Sequence, residues 1–179
     1  LKKQGQITNN AKIGLINCFS PPYKKDRPTK ADLDAVRMED GIRNRWWLDI
    51  AANGSLPKDV FKTLKKFNCL PSIRPGDDEI SKLGKIDWLG YNYYYPKRVQ
   101  APDKQIDDNG NLVYSKDYIW KDRIMNESRG WEIYPKGIYD FGIKIRDEYP
   151  TLKFFISENG MGIQDEYLNK DKNGVIQDE

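Results

Sequence analysis

The sequence contains no histidine among its 179 residues. This absence excludes Ser-His-Asp triads, zinc sites with histidine ligands and acid–base catalysis by imidazole. Catalysis by this chain must therefore use carboxylate, tyrosine or lysine side chains. The sequence also lacks a run of the roughly 18 apolar residues that a membrane span needs, and no signal peptide precedes the first predicted strand. We expect a cytoplasmic protein without a membrane partner.

Cysteine is scarce, and charge of one sign is not in large excess. Cys18 and Cys69 lie far apart in apolar surroundings, so we predict buried free thiols in a reducing compartment. The 30 Lys and Arg are scattered among 27 Asp and Glu, and this balance argues against a nucleic-acid partner. At 38% hydrophobic residues, the chain is long and apolar enough for one domain with a core.

Strands alternate with helices along the chain. Apolar runs bounded by Pro, Gly and Asn predict strands over 11–19, 86–95 and 152–157. Apolar periodicity predicts helices over 29–53, 60–67, 77–83 and 135–149. Residues 101–126 contain a hairpin-type turn and are predicted to form an excursion from the main fold. This order indicates an α/β protein with a parallel sheet. Three strands make neither a closed barrel nor a doubly wound sheet, so we interpret the chain as part of a larger domain.

The third predicted strand ends in a carboxylate, Glu158, which is followed by Asn159 and Gly160. A buried strand needs no acid at its end, whereas α/β barrels keep their chemistry at the carboxyl ends of parallel strands. The two-residue period of a strand predicts that Phe154, Ile156 and Glu158 share one face. We expect this face to line a barrel interior, with Glu158 at its mouth.

Two motifs carry a resemblance to a known family. Residues 156–160 (Ile-Ser-Glu-Asn-Gly) resemble the nucleophile motif of glycoside hydrolase family 1, the retaining β-glycosidases that include β-glucosidases and 6-phospho-β-glucosidases. Residues 87–94 (Asp-Trp-Leu-Gly-Tyr-Asn-Tyr-Tyr) resemble the family's Asp-Phe-Leu-Gly-x-Asn-Tyr-Tyr. The resemblance implies that Glu158 is the nucleophile, that Tyr94 donates a hydrogen bond to it, and that Asn92 lies in the sugar-binding site. Weaker matches extend the resemblance along the chain in the family's order.

The sequence departs from the family pattern in two places. The family's acid/base glutamate lies in an Asn-Glu-Pro motif at the end of strand four, and this chain contains no such motif. The nearest string, Asn126-Glu127-Ser128, lacks the proline and follows the sixth strand, so we interpret it as a solvent-facing segment. The sequence also has no match to strand eight, whose loop holds the 6-phosphate in the phospho-specific enzymes.

The resemblance implies a partial TIM (β/α)8 barrel. Residues 1–179 would form strands five to seven of one catalytic domain that lacks strands one to four and eight. The expected function is hydrolysis of β-glucosides or β-galactosides through a glycosyl-enzyme on Glu158, without a metal or organic cofactor. We favour 6-phosphorylated substrates, because the chain is Lys-rich, lacks histidine and has no secretion signal. Alone, the chain is expected to be inactive and to self-associate as a dimer.

Two alternatives remain at this stage. A non-catalytic carbohydrate-binding or interaction module would use Tyr91, Tyr93 and Tyr95 together as an exposed stacking platform. An unrelated α/β enzyme would make the motif matches accidental. The sequence also leaves open whether Trp131 belongs to the core or to the rim of a pocket.

Overall fold

A computed structural model describes residues 5–164 and 170–175 of the chain. The elements in chain order are β1 (Gly14–Cys18), β2 (Pro22–Lys24), α1 (Lys30–Asp40), a π-helical segment (Gly41–Arg45), α2 (Trp46–Asn53), α3 (Lys58–Lys66), α4 (Asp77–Leu83), β3 (Trp88–Tyr93), β4 (Lys97–Gln100), β5 (Lys116–Asp117), β6 (Ile124–Asn126), β7 (Trp131–Ile133), α5 (Lys136–Glu148) and β8 (Lys153–Asn159). All the predicted helices and the three predicted main strands are present.

Local sequence signals set both ends of the first helical region. The Thr29 hydroxyl accepts a hydrogen bond from the backbone N–H of Asp32, and the Asp32 carboxylate accepts one from the backbone N–H of Thr29. This capping box satisfies N–H groups that would otherwise have no partner. Gly54 ends α2 with a φ of 69°, which suits glycine because it has no Cβ. The π-helical segment between α1 and α2 was not predicted.

The main sheet contains three parallel strands in the order β1-β3-β8. One face of this sheet, called the outer face below, packs against α5, and the apolar core lies between the sheet and this helix. Leu89, Tyr91 and Tyr93 of β3 are buried there with Phe141 and Ile145 of α5. The predicted parallel sheet and the predicted apolar stripe on the helix are therefore confirmed.

The opposite face of the main sheet is open. Ile16 on β1 and Phe155 on β8 are 59% and 48% exposed. Within residues 5–164 and 170–175, β1 and β8 each pair with β3 alone, so the sheet does not close into a barrel. The prediction of buried cysteines was wrong, because Cys18 ends an edge strand and Cys69 lies in the loop after α3, and both are exposed.

The segment between β3 and α5 (residues 94–135) is held together internally by Arg98 of β4. Its guanidinium forms a bidentate ion pair with Glu132 of β7, at 2.5 and 3.0 Å. The same group lies over the rings of Trp120 and Tyr134, at 4.3 and 4.7 Å from their centroids. Both the carboxylate and the aromatic faces favour the planar cation of arginine. The pair holds β7, and with it Trp131, next to the carboxyl end of β3.

None of the helices built from the described residues is long and apolar enough to cross a bilayer.

Candidate active site

The candidate site lies at the carboxyl ends of β3 and β8, where Glu158 is located. A β-bulge interrupts the pairing of these strands: Tyr91 pairs with Ile156, but Asn92 pairs with Glu158, so Ser157 is the additional residue. A bulge changes the alternation of side chains along a strand. It brings the Glu158 side chain to the open face of the sheet, which the Ser157 side chain shares with Phe155.

The prediction that Phe154, Ile156 and Glu158 share the interior face of β8 was therefore wrong, because residues before the bulge lie on the opposite face to the one predicted. The Phe154 ring packs against Tyr91 on the helix-covered face, with ring centroids 6.0 Å apart. Phe155 instead shares the open face with Gly90, as its ring atoms lie beside that glycine. Glu158 reaches the open face only because the bulge adds one residue, which a period-two pattern does not contain.

Tyr94 directly follows β3 and contacts the predicted nucleophile. Its hydroxyl donates a hydrogen bond to Oε2 of Glu158. This hydrogen bond raises the pKa of Tyr94 to about 12, because the protonated phenol is the form that can donate to the carboxylate. The two side chains that the resemblance paired are therefore in contact, with Tyr94 as the donor.

Asn92 lies beside the pair, on the same open face. Its Oδ1 accepts a hydrogen bond of 2.7 Å from the Ser157 hydroxyl. Its backbone carbonyl accepts one of 3.0 Å from the N–H of Phe19, which follows β1. The Nδ2 of Asn159 donates to the backbone carbonyl of Tyr93 at 2.6 Å, which fastens the end of β8 to β3. Asn92 is thus held from both neighbouring strands.

Trp131 forms one wall of the site, which resolves the question between core and rim. Its indole packs between the rings of Tyr94 and Tyr95, with centroid separations of 5.3 and 5.1 Å. It borders a cavity of about 660 Å³, which is lined by Tyr94, Arg129, Trp131, Ser157, Glu158, Asn159, Gly160, Met161 and Gly162. A cavity with an aromatic wall and one carboxylate suits a polyhydroxylated ring, which offers both C–H faces and hydroxyls.

The segment around Asn126 differs in part from its prediction. Glu127 and Ser128 are exposed, as expected. Asn126, however, is only 8% exposed, and its Nδ2 donates to the backbone carbonyl of Gly162 at 3.2 Å. Its Oδ1 accepts from the backbone N–H of Arg129 at 3.0 Å. Asn126 therefore joins the β6–β7 turn to the loop after β8, and together these two segments form the rim of the cavity.

The site chemistry is that of carboxylate and phenol. The described residues contain no cluster of three or more His, Cys, Asp or Glu side chains that could hold a metal ion. Glu158 is the only carboxylate among the described residues that line the cavity. The arrangement can present one oriented carboxylate oxygen to a bound electrophile. Sequence patterns missed Ser157, Asn126 and Arg129, because their positions depend on the bulge and on contacts between distant loops.

The raised pKa of Tyr94 leads to a testable result. Because the folded-state pKa of Tyr94 is raised, the stabilisation from its hydrogen bond to Glu158 is fully present below the usual tyrosine pKa of about 10. This stabilisation is lost as the pH rises through about 12 and the phenol deprotonates. We expect Tyr94 to remain mostly protonated at about pH 11, and Glu158→Gln to return its pKa towards 10. Fluorotyrosine NMR of the chain measures this, with Tyr94→Phe assigning the signal. An unchanged Tyr94 titration in Glu158→Gln would contradict the contact.

Comparison with known proteins agrees with this geometry. The model of glycosyl hydrolase family 1 matches residues 1–179. The chain is 36% identical over 177 residues to the 6-phospho-β-glucosidase GmuD of Bacillus subtilis, a match that covers 97% of this chain. It is 29% identical over 187 residues to a 6-phospho-β-galactosidase of Clostridium acetobutylicum, with 94% of this chain covered. The chain spans 38% of the length of each of these two relatives.

Solved structures give the same result. A β-glucosidase from Exiguobacterium marinum superposes with a TM-score of 0.72 and 29% identity, over 92% of this chain and 34% of that one. The Thermotoga maritima β-glucosidase bound to glucoimidazole gives a TM-score of 0.74 and 25% identity, over 99% of this chain and 37% of that one. The match of the family model over the whole chain, together with these similarities, shows that the chain belongs to glycosyl hydrolase family 1.

Proposed function

We propose that this chain is the nucleophile-bearing part of a retaining β-glycosidase. The observation that carries the proposal is the contact between Tyr94 and Glu158 at the carboxyl ends of two neighbouring parallel strands. A phenol that donates to the carboxylate limits its rotation and leaves the other oxygen free to react. Asn92, held beside the carboxylate, is the residue that we assign to binding of the sugar.

The proposed reaction uses two displacements. Glu158 attacks the anomeric carbon as the bond to the aglycone oxygen breaks, and a glycosyl ester forms on the enzyme. A second carboxylic acid, supplied from outside this chain, gives its proton to the leaving oxygen. It then takes a proton from water, which attacks the anomeric carbon and releases Glu158. In retaining enzymes the two carboxyl groups lie about 5–5.5 Å apart.

The proposed setting is a (β/α)8 barrel in which β1, β3 and β8 are strands five, six and seven. Three features support this assignment: the strands are parallel, their outer face is covered by α5, and their other face is open and partly apolar. In such a barrel, residues 1–179 would belong to one catalytic domain, and strands one to four and eight would complete the pocket.

The proposed substrates are β-glucosides or β-galactosides that carry a 6-phosphate. Two relatives named as 6-phospho-β-glucosidase and 6-phospho-β-galactosidase support the phosphorylated class. Similarity to a protein named β-glucosidase A of Enterobacter agglomerans, at 29% identity, keeps the plain sugar as the comparison substrate. Assays with matched aryl glycosides, with and without the phosphate, separate the two classes.

Covalent trapping tests the proposed function. A hybrid domain is made by joining residues 1–179 to the remaining segments of the Bacillus subtilis relative. Treatment with a 2-deoxy-2-fluoro-β-glycoside, with and without a 6-phosphate, slows release of the glycosyl-enzyme and leaves the sugar attached. We expect mass spectrometry to find one sugar on the peptide that contains Glu158.

Two variants make this experiment decisive. Glu158→Gln should take up no label, whereas Glu127→Gln, which alters an exposed acid on the adjacent turn, should label like the unaltered domain. A label on another residue would overturn the assignment of the nucleophile. A folded hybrid domain that hydrolyses and labels with neither class of substrate would overturn the proposed function itself.

Burial of the tyrosines argues against the non-catalytic alternative. Tyr91 and Tyr93 are 1% and 2% exposed, and their hydroxyls donate to the backbone carbonyls of Ile138 and Tyr134. Their rings are therefore part of the core. A stacking platform of Tyr91, Tyr93 and Tyr95 does not form on the surface of this sheet.

A further inference from the structure

The β-bulge brings Glu158 to the face that Ser157 already occupies, and the mechanism above gives Ser157 no role. Without the bulge, Ser157 and Glu158 would point to opposite faces of β8. With it, the Ser157 hydroxyl lies on the same face as Glu158 and donates to Oδ1 of Asn92 at 2.7 Å. One short segment thus delivers both the proposed nucleophile and a hydroxyl that contacts the proposed sugar-binding amide.

Gly90 leaves the space that this hydroxyl occupies. A Cβ atom at Gly90 would lie 2.9 Å from Ser157 Oγ and 2.8 Å from Ile16 Cγ1. Both separations are below the distance at which carbon atoms pack without displacement, so any larger residue there would push the hydroxyl away from Asn92. The lack of a side chain at Gly90 on β3 therefore leaves room for the hydrogen bond between Ser157, the additional residue of β8, and Asn92.

The hydrogen bond also determines which end of the Asn92 amide is left to bind a ligand. Oδ1 is engaged by Ser157, while Nδ2 donates to no acceptor within the described part of the chain. Asn92 is only partly buried, and it is hydrogen-bonded to Ser157, which lines the cavity. An amide held at one atom presents the other as a pre-oriented donor, which suits a sugar hydroxyl.

We propose that Ser157 is a positioning residue that acts on the substrate through Asn92. The hydroxyl holds the amide plane so that Nδ2 of Asn92 donates to a hydroxyl group of the bound sugar as the glycosyl ester forms. This inference rests on the proposed function, because it needs a sugar in the cavity. It adds a requirement for a hydroxyl side chain at the bulge, next to the nucleophile.

The variants follow from this requirement. Ser157→Ala removes the hydroxyl with little change in volume, and we expect kcat/KM of the hybrid domain to fall about tenfold, the size of one lost hydrogen bond. Ser157→Thr retains the hydroxyl and should restore kcat/KM to within about threefold of the unaltered domain. A merely structural role would appear instead in the midpoint of thermal unfolding, which we expect to be similar in all three proteins.

A double-mutant cycle with Asn92 gives the decisive measurement. If Ser157 acts through Asn92, then Ser157→Ala should lower kcat/KM in the unaltered domain but not in the Asn92→Ala background. Equal losses in both backgrounds would overturn the inference, as would an unchanged kcat/KM for Ser157→Ala alone. These outcomes require a hybrid domain with turnover, so failure of the proposed function, seen as a folded domain without turnover or labelling, is distinguishable.

Discussion

Replacement of Glu158 by glutamine is expected to abolish turnover in the hybrid domain. The amide has nearly the same size as the carboxylate, but it is neutral and cannot form the glycosyl ester. Removal of a nucleophile in other covalent enzymes lowers kcat by about 10⁴-fold or more, and we expect a loss of that order here. Initial rates with an aryl 6-phospho-β-glycoside measure the loss, and circular dichroism shows whether the fold is retained.

Three further variants define how specific this result is. Glu127→Gln should leave the rate unchanged, because its side chain is exposed on the turn beside the cavity. Tyr94→Phe should lower the rate less than Glu158→Gln does, since it removes one hydrogen bond and leaves the nucleophile. Glu158→Gly with added azide should yield a glycosyl azide, since a small anion can replace the missing carboxylate. Near-normal hydrolysis by Glu158→Gln would show that another residue is the nucleophile.

The 179-residue chain by itself is expected to show no β-glycosidase turnover. Glu158 is the only carboxylate among the described residues that line the cavity, so these residues offer no second acid to protonate the leaving oxygen. General acid catalysis contributes about 10²–10⁴-fold, and in the proposed barrel the strands outside residues 1–179 would be needed to position the substrate as well. Hydrolysis of an unactivated β-glucoside by the pure chain, with or without a 6-phosphate, would show that the acid lies within residues 1–179.

The same preparation tests the association of the chain. Among the described residues, β1 and β8 pair with no strand beyond β3, and the open face of the sheet exposes Ile16 and Phe155. Unpaired backbone groups and exposed apolar side chains favour pairing with a second copy, so we expect a dimer in light scattering at micromolar concentration. The hybrid domain, in which other strands would cover this face, is the matched control. A monodisperse monomer with cooperative unfolding would contradict this expectation.

Much of the site could be predicted because the relevant signals are local. The helix limits at Thr29 and Gly54 are set by hydrogen bonds and dihedral angles within a few residues. The third strand and its terminal carboxylate were visible as an apolar run that ends in Glu158, Asn159 and Gly160. The motif resemblance then paired Tyr94 with Glu158, and the two side chains are in contact.

Other features could not be predicted from local patterns. The π-helical segment and the bulge at Ser157 each change the register by a residue, and apolar periodicity contains no signal for an insertion of that kind. The cysteines were assigned by their apolar neighbours in sequence, yet exposure depends on which elements pack above them. Asn126 resembled a surface segment, but a carbonyl 36 residues away makes it a structural link.

The sequence by itself determined the order of strands and helices. It also limited the candidate catalytic groups to carboxylate, tyrosine and lysine side chains, and it gave Glu158, Tyr94 and Asn92 as the candidate residues. Tertiary structure decided which face Glu158 occupies, because the bulge in β8 brings it to the open face, and Gly90 on the neighbouring strand leaves room there for the Ser157 hydroxyl beside Asn92. It also brought Trp131 to the cavity, where its ring packs against Tyr94 and where the neighbouring Glu132 pairs with Arg98 of β4. The direction of a side chain at the site depends on the pairing of strands that are distant in sequence, and neither composition nor periodicity predicts that pairing.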